Sequence, residues 1–453
     1  MPLQLTGFDF LKNPHYLFLF LFCLQRFKDE HWGFLPGFAE LVGKGDKILD
    51  LKDAWVDNPN AETVAFTGKE ADMIKHRFGL GGRATGVLYG SVDVAGTPTD
   101  VAVKLSWPEK SRPREKVFID KAKEEFSGPE FATDNPCDYL PTILAAKEYP
   151  EFESGPLLQA VLQNEEDYEP IKLASRIPYL IAMPKYDPIA SLTKDLTTFL
   201  AAFFALFYCH AMLWSVGIRH GDISDNNLMW DPKTQKPKLC DFDLSHLCEK
   251  PRRGVEEVGP NGPTGFSNTG TWIFMAAELL DDDAMAGEVK RVYRHEVEAF
   301  IAVLVWIICR YHDGKLRGGN PLGHWIQQSY LECNAKRRRT FNEIIKGIFP
   351  QPSGIPEDIW VPLCMALDSM RKHSGEAVAA QYNQVTYKRF VAYDPSYAFD
   401  GKSPEDYNAL RALPKILTWP IFKNEAAQRF IGLVDGRILK PLGLKLEVAR
   451  PSD

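Results

Sequence analysis

The stretch Ile218-Arg219-His220-Gly221-Asp222-Ile223-Ser224-Asp225-Asn226-Asn227-Leu228-Met229-Trp230 is followed, after Asp231-Pro232-Lys233-Thr234, by Lys238-Leu239-Cys240-Asp241-Phe242-Asp243. Leu228–Trp230 and Lys238–Cys240 read as two short strands, and the four residues after Trp230 are a good turn sequence. Such a hairpin brings the residue before its first strand and the residue after its second to the same end. Asn227 and Asp241 are therefore expected to share that end, beside Asp222. Phosphoryl transfer asks a protein mainly for a carboxylate that orients the attacking hydroxyl and for oxygen ligands that hold Mg²⁺ against phosphates. Asp222 suits the first task. Asn227 and Asp241 suit the second, because Mg²⁺ takes a few hard protein oxygens and completes its shell with phosphate and water. The bland alternative is a polar loop whose Asp and Asn satisfy turns. An isolated H-x-D supports no more than that, whereas the joint pattern of strands, turn and D-F is much rarer.

Working outward, Gly79, Gly81, Gly82, Gly86 and Gly90 punctuate a stretch leading into Val87-Leu88-Tyr89 and Val92-Asp93-Val94. Gly96-Thr97-Pro98 is a turn signal, and Val101–Leu105 resumes the extended pattern. Pro113 opens a helical pattern running to about Phe126. Tyr179–Met183 reads as a short apolar strand broken by Pro184. Leu196–Val216 and Val297–Tyr311 read as apolar, mostly buried helices. Strands lead and helices follow, which predicts an α+β chain. After Lys372 the pattern is irregular, with one further helix expected within Ile416–Phe430.

The composition is that of a globular chain, with 45% hydrophobic and 25% charged residues in 453. A net charge of -7 argues against nucleic acid or acidic lipid as a partner. The eight cysteines include no C-x-x-C pair, so neither zinc nor a disulfide framework is implied and an intracellular, cytoplasmic or nuclear setting is expected. Tyr16–Leu24 is apolar but far short of the roughly 20 residues of a membrane span. Lacking a small-residue cleavage site, it is read as a buried core element rather than a signal peptide.

The catalytic stretch resembles the catalytic and metal loops of protein kinases. H-x-D-I-S-x-x-N with D-F-D-L-S further resembles the fungal-type protein kinase family. Val101-Ala102-Val103-Lys104-Leu105-Ser106-Trp107-Pro108 is similar to that family's V-x-K-x-S-W, and Gly270–Leu280 resembles the substrate-side loop ending in A-P-E, with Ala277 replacing proline. The resemblance covers about Gly79–Tyr311. It implies a two-lobed fold: a small N-terminal antiparallel β-sheet lobe with one helix, and a larger, mainly helical C-terminal lobe. The expected division is an N-terminal extension (1–70), N-lobe (71–187), C-lobe (188–372) and C-terminal extension (373–453).

The implied activity is serine/threonine protein phosphorylation with ATP and Mg²⁺. Asp222, Lys104, Asn227 and Asp241 would be catalytic, with Asn227 and Asp241 as metal ligands. Lys104 would bind the α- and β-phosphates, partnered by Glu115, with Asp120 and Glu124 as rivals on the same helix. Gly82, Thr85, Gly86 and Val87 would cover the phosphates, and Met183 would begin the adenine hinge running to Tyr186. Thr271 would touch Asp222, and Glu278 would be paired with an arginine that the sequence does not identify. Three positions depart from the common kinase pattern. Gly221 stands where many protein kinases have the Arg that pairs with a phosphate on the activation loop, so activation through that contact is not expected. Ser224 stands where serine/threonine kinases usually carry Lys. Glu296 replaces the Asp that opens a buried helix, and its longer side chain could still hold the catalytic-loop backbone. H-G-D followed by Asn is also the wording of aminoglycoside and choline phosphotransferases, which generally lack the Gly270–Leu280 segment. A pseudokinase acting as a binding module is the third reading. Lys336–Arg339 is expected to be a solvated helix face rather than an import or docking patch, and Asp281–Asp283 an exposed loop run.

Overall fold

Val101 and Val103, two apart on the strand Thr97–Ser106, are fully buried. That alternation is what a strand facing a core produces. The strand lies in a computed structural model that describes residues 12, 14–15, 18, 21–22, 25, 54, 73–74, 85–94, 97–155, 175–248, 270–287, 289–396, 412–417 and 425–444. The chain divides into two compact units. One comprises Met1–Lys116 with Pro141–Lys185, and the other Val117–Leu140 with Tyr186–Asp453.

The first unit holds a five-stranded antiparallel sheet of β1 (Met73–Ile74), β2 (Gly86–Val94), β3 (Thr97–Ser106), β4 (Ala145–Glu148) and β5 (Tyr179–Pro184), in the order β1-β2-β3-β5-β4. The interior strand β5 is buried on both faces from Tyr179 to Met183. This explains why its sequence is a continuous apolar run rather than an alternation. Thr97 and Pro98, expected in the turn, already belong to β3. Helix α1 (Glu115–Glu125) begins at the end of the first unit's segment and from Val117 belongs to the second unit; its buried stripe is Glu115, Phe118, Ile119 and Ala122, a helical spacing.

In the second unit, β6 (Asp187–Pro188) precedes the long helix α2 (Leu196–Ser215). Asp195 caps α2, its carboxylate accepting from the Thr197 amide at 3.0 Å. By length and composition α2 could cross a membrane, but 72% of its apolar window is buried inside the protein. It packs as a core helix. Next come β7 (Ile218–Arg219), β8 (Leu228–Asp231), β9 (Lys236–Leu239) and β10 (His246–Leu247), with β6-β8-β9 in one sheet and β7 paired to β10. Helix α3 (Tyr293–Arg310) is buried along its whole length. Helices α4 (Tyr330–Ile345), α5 (Glu357–Tyr393) and α6 (Glu425–Val434) follow, with the short helices Asp282–Met285 and Ala412–Leu417 also in the unit. Phe207 of α2 is sandwiched between Phe300 of α3, at 4.8 Å, and Phe430 of α6, at 5.0 Å, both stacked.

Two expectations need correction. The boundary expected at Lys372 falls inside the unbroken helix α5. Within the expected C-terminal extension, whose membership of the domain the sequence leaves open, Phe430 joins the core and Arg437 donates to the carbonyls of Thr133 and Asp134, each at 2.7 Å. Tyr16–Leu24 is not buried where it is described: Phe18, Leu21 and Phe22 are 68%, 44% and 51% exposed.

Candidate active site

The turn of the β8–β9 hairpin is locked by Asp231, whose carboxylate accepts from the Lys233 amide (2.9 Å) and the Thr234 hydroxyl (2.7 Å). At the open end Leu228 faces Leu239, and the Cys240 amide donates to the Asn227 carbonyl at 2.8 Å. Asn227 and the residue before Asp241 are thereby neighbours. His220, fully buried, ties this end to the loop that carries Asp222. Its Nε2 lies 3.1 Å from the Cys240 carbonyl oxygen and its Nδ1 3.3 Å from the Asp222 amide. A carbonyl only accepts and an amide N–H only donates, so the ring is the neutral Nε2–H tautomer. Burial, aided by nearby His210, pushes its pKa down to about 4, in keeping with that neutral state.

Asp222 is held from two sides. Its Oδ1 accepts from the Thr271 amide (2.8 Å) and hydroxyl (2.9 Å). Asn227 Nδ2 donates to the Asp222 carbonyl at 2.8 Å and makes a longer contact to Oδ2 at 3.4 Å. With Nδ2 so committed, the Asn227 Oδ1 is turned away from Asp222 as an acceptor. That is the end of the amide a hard cation would take. Asp241 adopts left-handed backbone angles, φ 66° and ψ 73°. Asp is among the few non-glycine residues that visit this region readily, and such strain concentrates at functional sites.

The glycine at 221 has a steric cause. Its φ is +80°, and a Cβ there would stand 3.0 Å from the Leu244 carbonyl oxygen and 3.3 Å from the Arg291 guanidinium. Glu296 does not reach the loop backbone itself. Arg291 Nη1 donates to the Gly221 carbonyl at 2.5 Å and lies 3.4 Å from Glu296 Oε1, while His210 Nε2 stands 3.5 Å from Glu296 Oε2. Burial works to raise the Glu296 pKa, but the Arg291 charge, with His210 and His220 behind it, outweighs burial and holds it at about 2. Arg291 was not legible as part of the site.

The partner of Glu278 is Arg294, with His295 Nε2 also at 3.1 Å. Burial opposes ionisation of Glu278, yet these contacts hold its pKa at about 2. The same His295 accepts the Val292 amide on Nδ1 at 3.1 Å, fastening the start of α3. Arg337 corrects the reading of Lys336–Arg339 as a solvated face: it is fully buried, donates to the Ile273 carbonyl at 3.0 Å, and faces Glu298 at 3.7 Å. Glu298 in turn accepts from the Ala277 amide at 2.8 Å. Lys336, Arg338 and Arg339 are exposed as expected. Asp282, expected in a loop, opens a short helix and accepts from the Tyr330 hydroxyl at 2.5 Å. Ser224 is buried, and its carbonyl accepts from the Asn227 amide at 3.1 Å.

In the first unit, Lys104 Nζ lies 2.5 Å from Glu115 Oε1, and both side chains are buried. The rivals Asp120 and Glu124 are on the exposed face of α1. Lys104 is flanked in the sheet by Val87 on β2 and Ile181 on β5. Thr85 immediately precedes β2 and Gly86 opens it, while Gly82 lies outside the described residues. Met183 sits near the end of β5, opposite Ala102.

Residues 160–308 match the family described as fungal protein kinase. That segment is similar to fungal-type protein kinases. The chain is also 28% identical over 137 residues to the rat receptor-interacting serine/threonine-protein kinase 3, a match covering 30% of this chain and 24% of that kinase. The chain thus spans about a quarter of the length of that curated relative.

Proposed function

We propose that this chain is a serine/threonine protein kinase that transfers the γ-phosphoryl group of ATP to a protein hydroxyl, on a two-lobed protein-kinase-like fold. The observation that carries the reading is the state of Asp222. Its carboxylate is fixed by Thr271 and Asn227, and its amide by a neutral imidazole, so it can orient a hydroxyl with little reorganisation. Loss of the hydroxyl proton toward this carboxylate accompanies attack on the phosphorus. Asn227 and Asp241 would hold Mg²⁺, and the donor set fits: a free amide oxygen and a carboxylate are hard ligands. When bound, Mg²⁺ supplies neutralisation of phosphate charge. Lys104, paired with Glu115, would meet the α- and β-phosphates as a compact cation. Gly86, Val87 and Met183 would border the nucleotide.

Gly221 favours a second reading, a small-molecule kinase of the aminoglycoside or choline type, since H-G-D is that wording. The clamped Thr271–Ala277 segment speaks for a protein substrate instead. Labelled ATP with Mg²⁺, offered with generic protein substrates and with a panel of amino alcohols, tests both. Autophosphorylation or protein labelling by wild type, abolished in Asp222→Asn and Asp241→Ala, is expected. ATP binding without turnover on any substrate would mean a pseudokinase, and labelling of the alcohols alone would mean the second reading.

A further inference from the structure

We infer that Arg291 is the positioning residue of the catalytic loop, bridging the Glu296 carboxylate to the Gly221 carbonyl and so fixing the backbone that carries Asp222. The inference rests on the kinase reading for its catalytic meaning, though not for its geometry. Three observations converge on it. The Gly221 carbonyl takes a direct charge-assisted hydrogen bond from Arg291 Nη1. The carboxylate behind that guanidinium is itself buried, 3% exposed, and flanked by His210 on its other oxygen. The backbone at 221 is held at φ +80° with a Cβ excluded by Leu244 and by Arg291 itself, so arginine and glycine fit as a matched pair.

The physical need is clear. A buried helix opened by a shorter carboxylate could meet loop backbone N–H groups directly. The longer Glu296 instead faces a guanidinium, and a guanidinium can only donate, so it reverses the polarity of the anchor and grips a carbonyl. Gly221 immediately precedes Asp222. Rotation of that peptide unit would therefore move the Asp222 amide away from His220 Nδ1 and its carboxylate away from Thr271. Arg291 grips the Gly221 carbonyl, one residue before Asp222. It acts through the peptide it holds.

The test uses the full chain and its Arg291→Lys and Arg291→Ala variants, with the exposed Arg339→Ala as control. Hydrogen–deuterium exchange over residues 218–228 is read beside kcat and KM for ATP. In both Arg291 variants, exchange in this loop rises while the buried helices α2 and α3 stay protected. In both, kcat falls on the order of 10²-fold, the loss that a misplacement of about 1 Å brings, and KM for ATP is unchanged. Lysine keeps the charge but lacks the planar fork, so it does not restore the loop. Arg291→Lys also keeps the measurement decisive should Arg291→Ala unfold. Wild-type exchange in the loop of Arg291→Lys, or faster exchange with kcat unaltered, overturns the inference. Absence of phosphoryl transfer by the wild type would sink the kinase reading alone, and the exchange result would then decide this inference by itself.

Discussion

Thr271 donates twice to a single oxygen of Asp222, through its amide at 2.8 Å and its hydroxyl at 2.9 Å. The residues lie far apart in sequence, so this pair joins the loop that carries Asp222 to the segment that begins at Gly270. A hydrogen bond to a charged group is worth about 1.5–3 kcal/mol. Thr271→Ala is therefore expected to lower kcat by about 10- to 100-fold. Thr271→Ser keeps the hydroxyl and stays near wild type. Initial rates at saturating ATP check this, and an Ala variant at wild-type kcat would leave the Thr271 hydroxyl without the role assigned to it.

Acid should act on the molecule in two steps. His220 has a folded pKa of about 4 against an ordinary 6.5, so between those values the unfolded chain binds more protons than the folded one. Stability therefore rises with pH across that window and is lost as pH falls from 6.5 toward 4. His295, also depressed by burial, adds to the same slope. Glu278 and Glu296 sit at about 2 in the folded state against 4.5, so their contribution is intact above 4.5 and lost as pH falls toward 2. Urea midpoints measured from pH 7 to pH 3 should fall throughout. A His220→Gln variant should flatten the upper part only, and an unchanged slope there would contradict the neutral imidazole.

How much of this was legible follows from the range of the forces involved. The β8–β9 hairpin and its turn are local, and residue types alone point to them, whereas the pairing of Lys104 with a carboxylate on α1 was legible only through the kinase resemblance. Glu115 outranks Asp120 and Glu124 because it lies on the stripe of Phe118 and Ala122, a distinction helical periodicity carries. Arg291 and Arg337 left no such signal. Each is one arginine among many until the fold sets it against a carboxylate on α3, with Arg337 fully buried and Arg291 partly so, and only then does it need a carbonyl. The apolar run at Tyr16–Leu24 misled for the converse reason. Apolar composition shows what burial would favour without showing a surface to bury against, and Phe18 stays 68% exposed.

Arg337 makes the cost of such burial measurable. Its side chain is fully buried, facing Glu298 and the carbonyls of Trp272 and Ile273. Removing one partner of a buried ion pair leaves the other charge uncompensated, which costs about 3–5 kcal/mol. Arg337→Ala should therefore lower the thermal midpoint sharply. Arg339, whose side chain is 76% exposed in its pair with Glu343, should be within about 0.5 kcal/mol of neutral when changed to Ala. Equal effects of the two substitutions would return Lys336–Arg339 to the status of an ordinary solvated face.

The last test concerns the chain beyond α5. Phe430 stacks on Phe207 at 5.0 Å and on Phe204 at 6.0 Å, and it is 2% exposed. Truncating a buried aromatic to alanine typically costs about 3–5 kcal/mol, the lost transfer energy plus the cavity left behind. Phe430→Ala is expected to lie in that range by urea unfolding, with Phe390→Ala, at a residue 43% exposed on α5, much milder. Phe207 also stacks on Phe300 of α3, the helix that carries Glu296 and Glu298. The stability loss should therefore extend to the second unit as a whole. Deleting residues 394–453 should do at least as much, exposing Phe204 and Phe207 to water. A deletion variant that melts like wild type would mean that α6 merely rests on α2, and that the second unit folds without it.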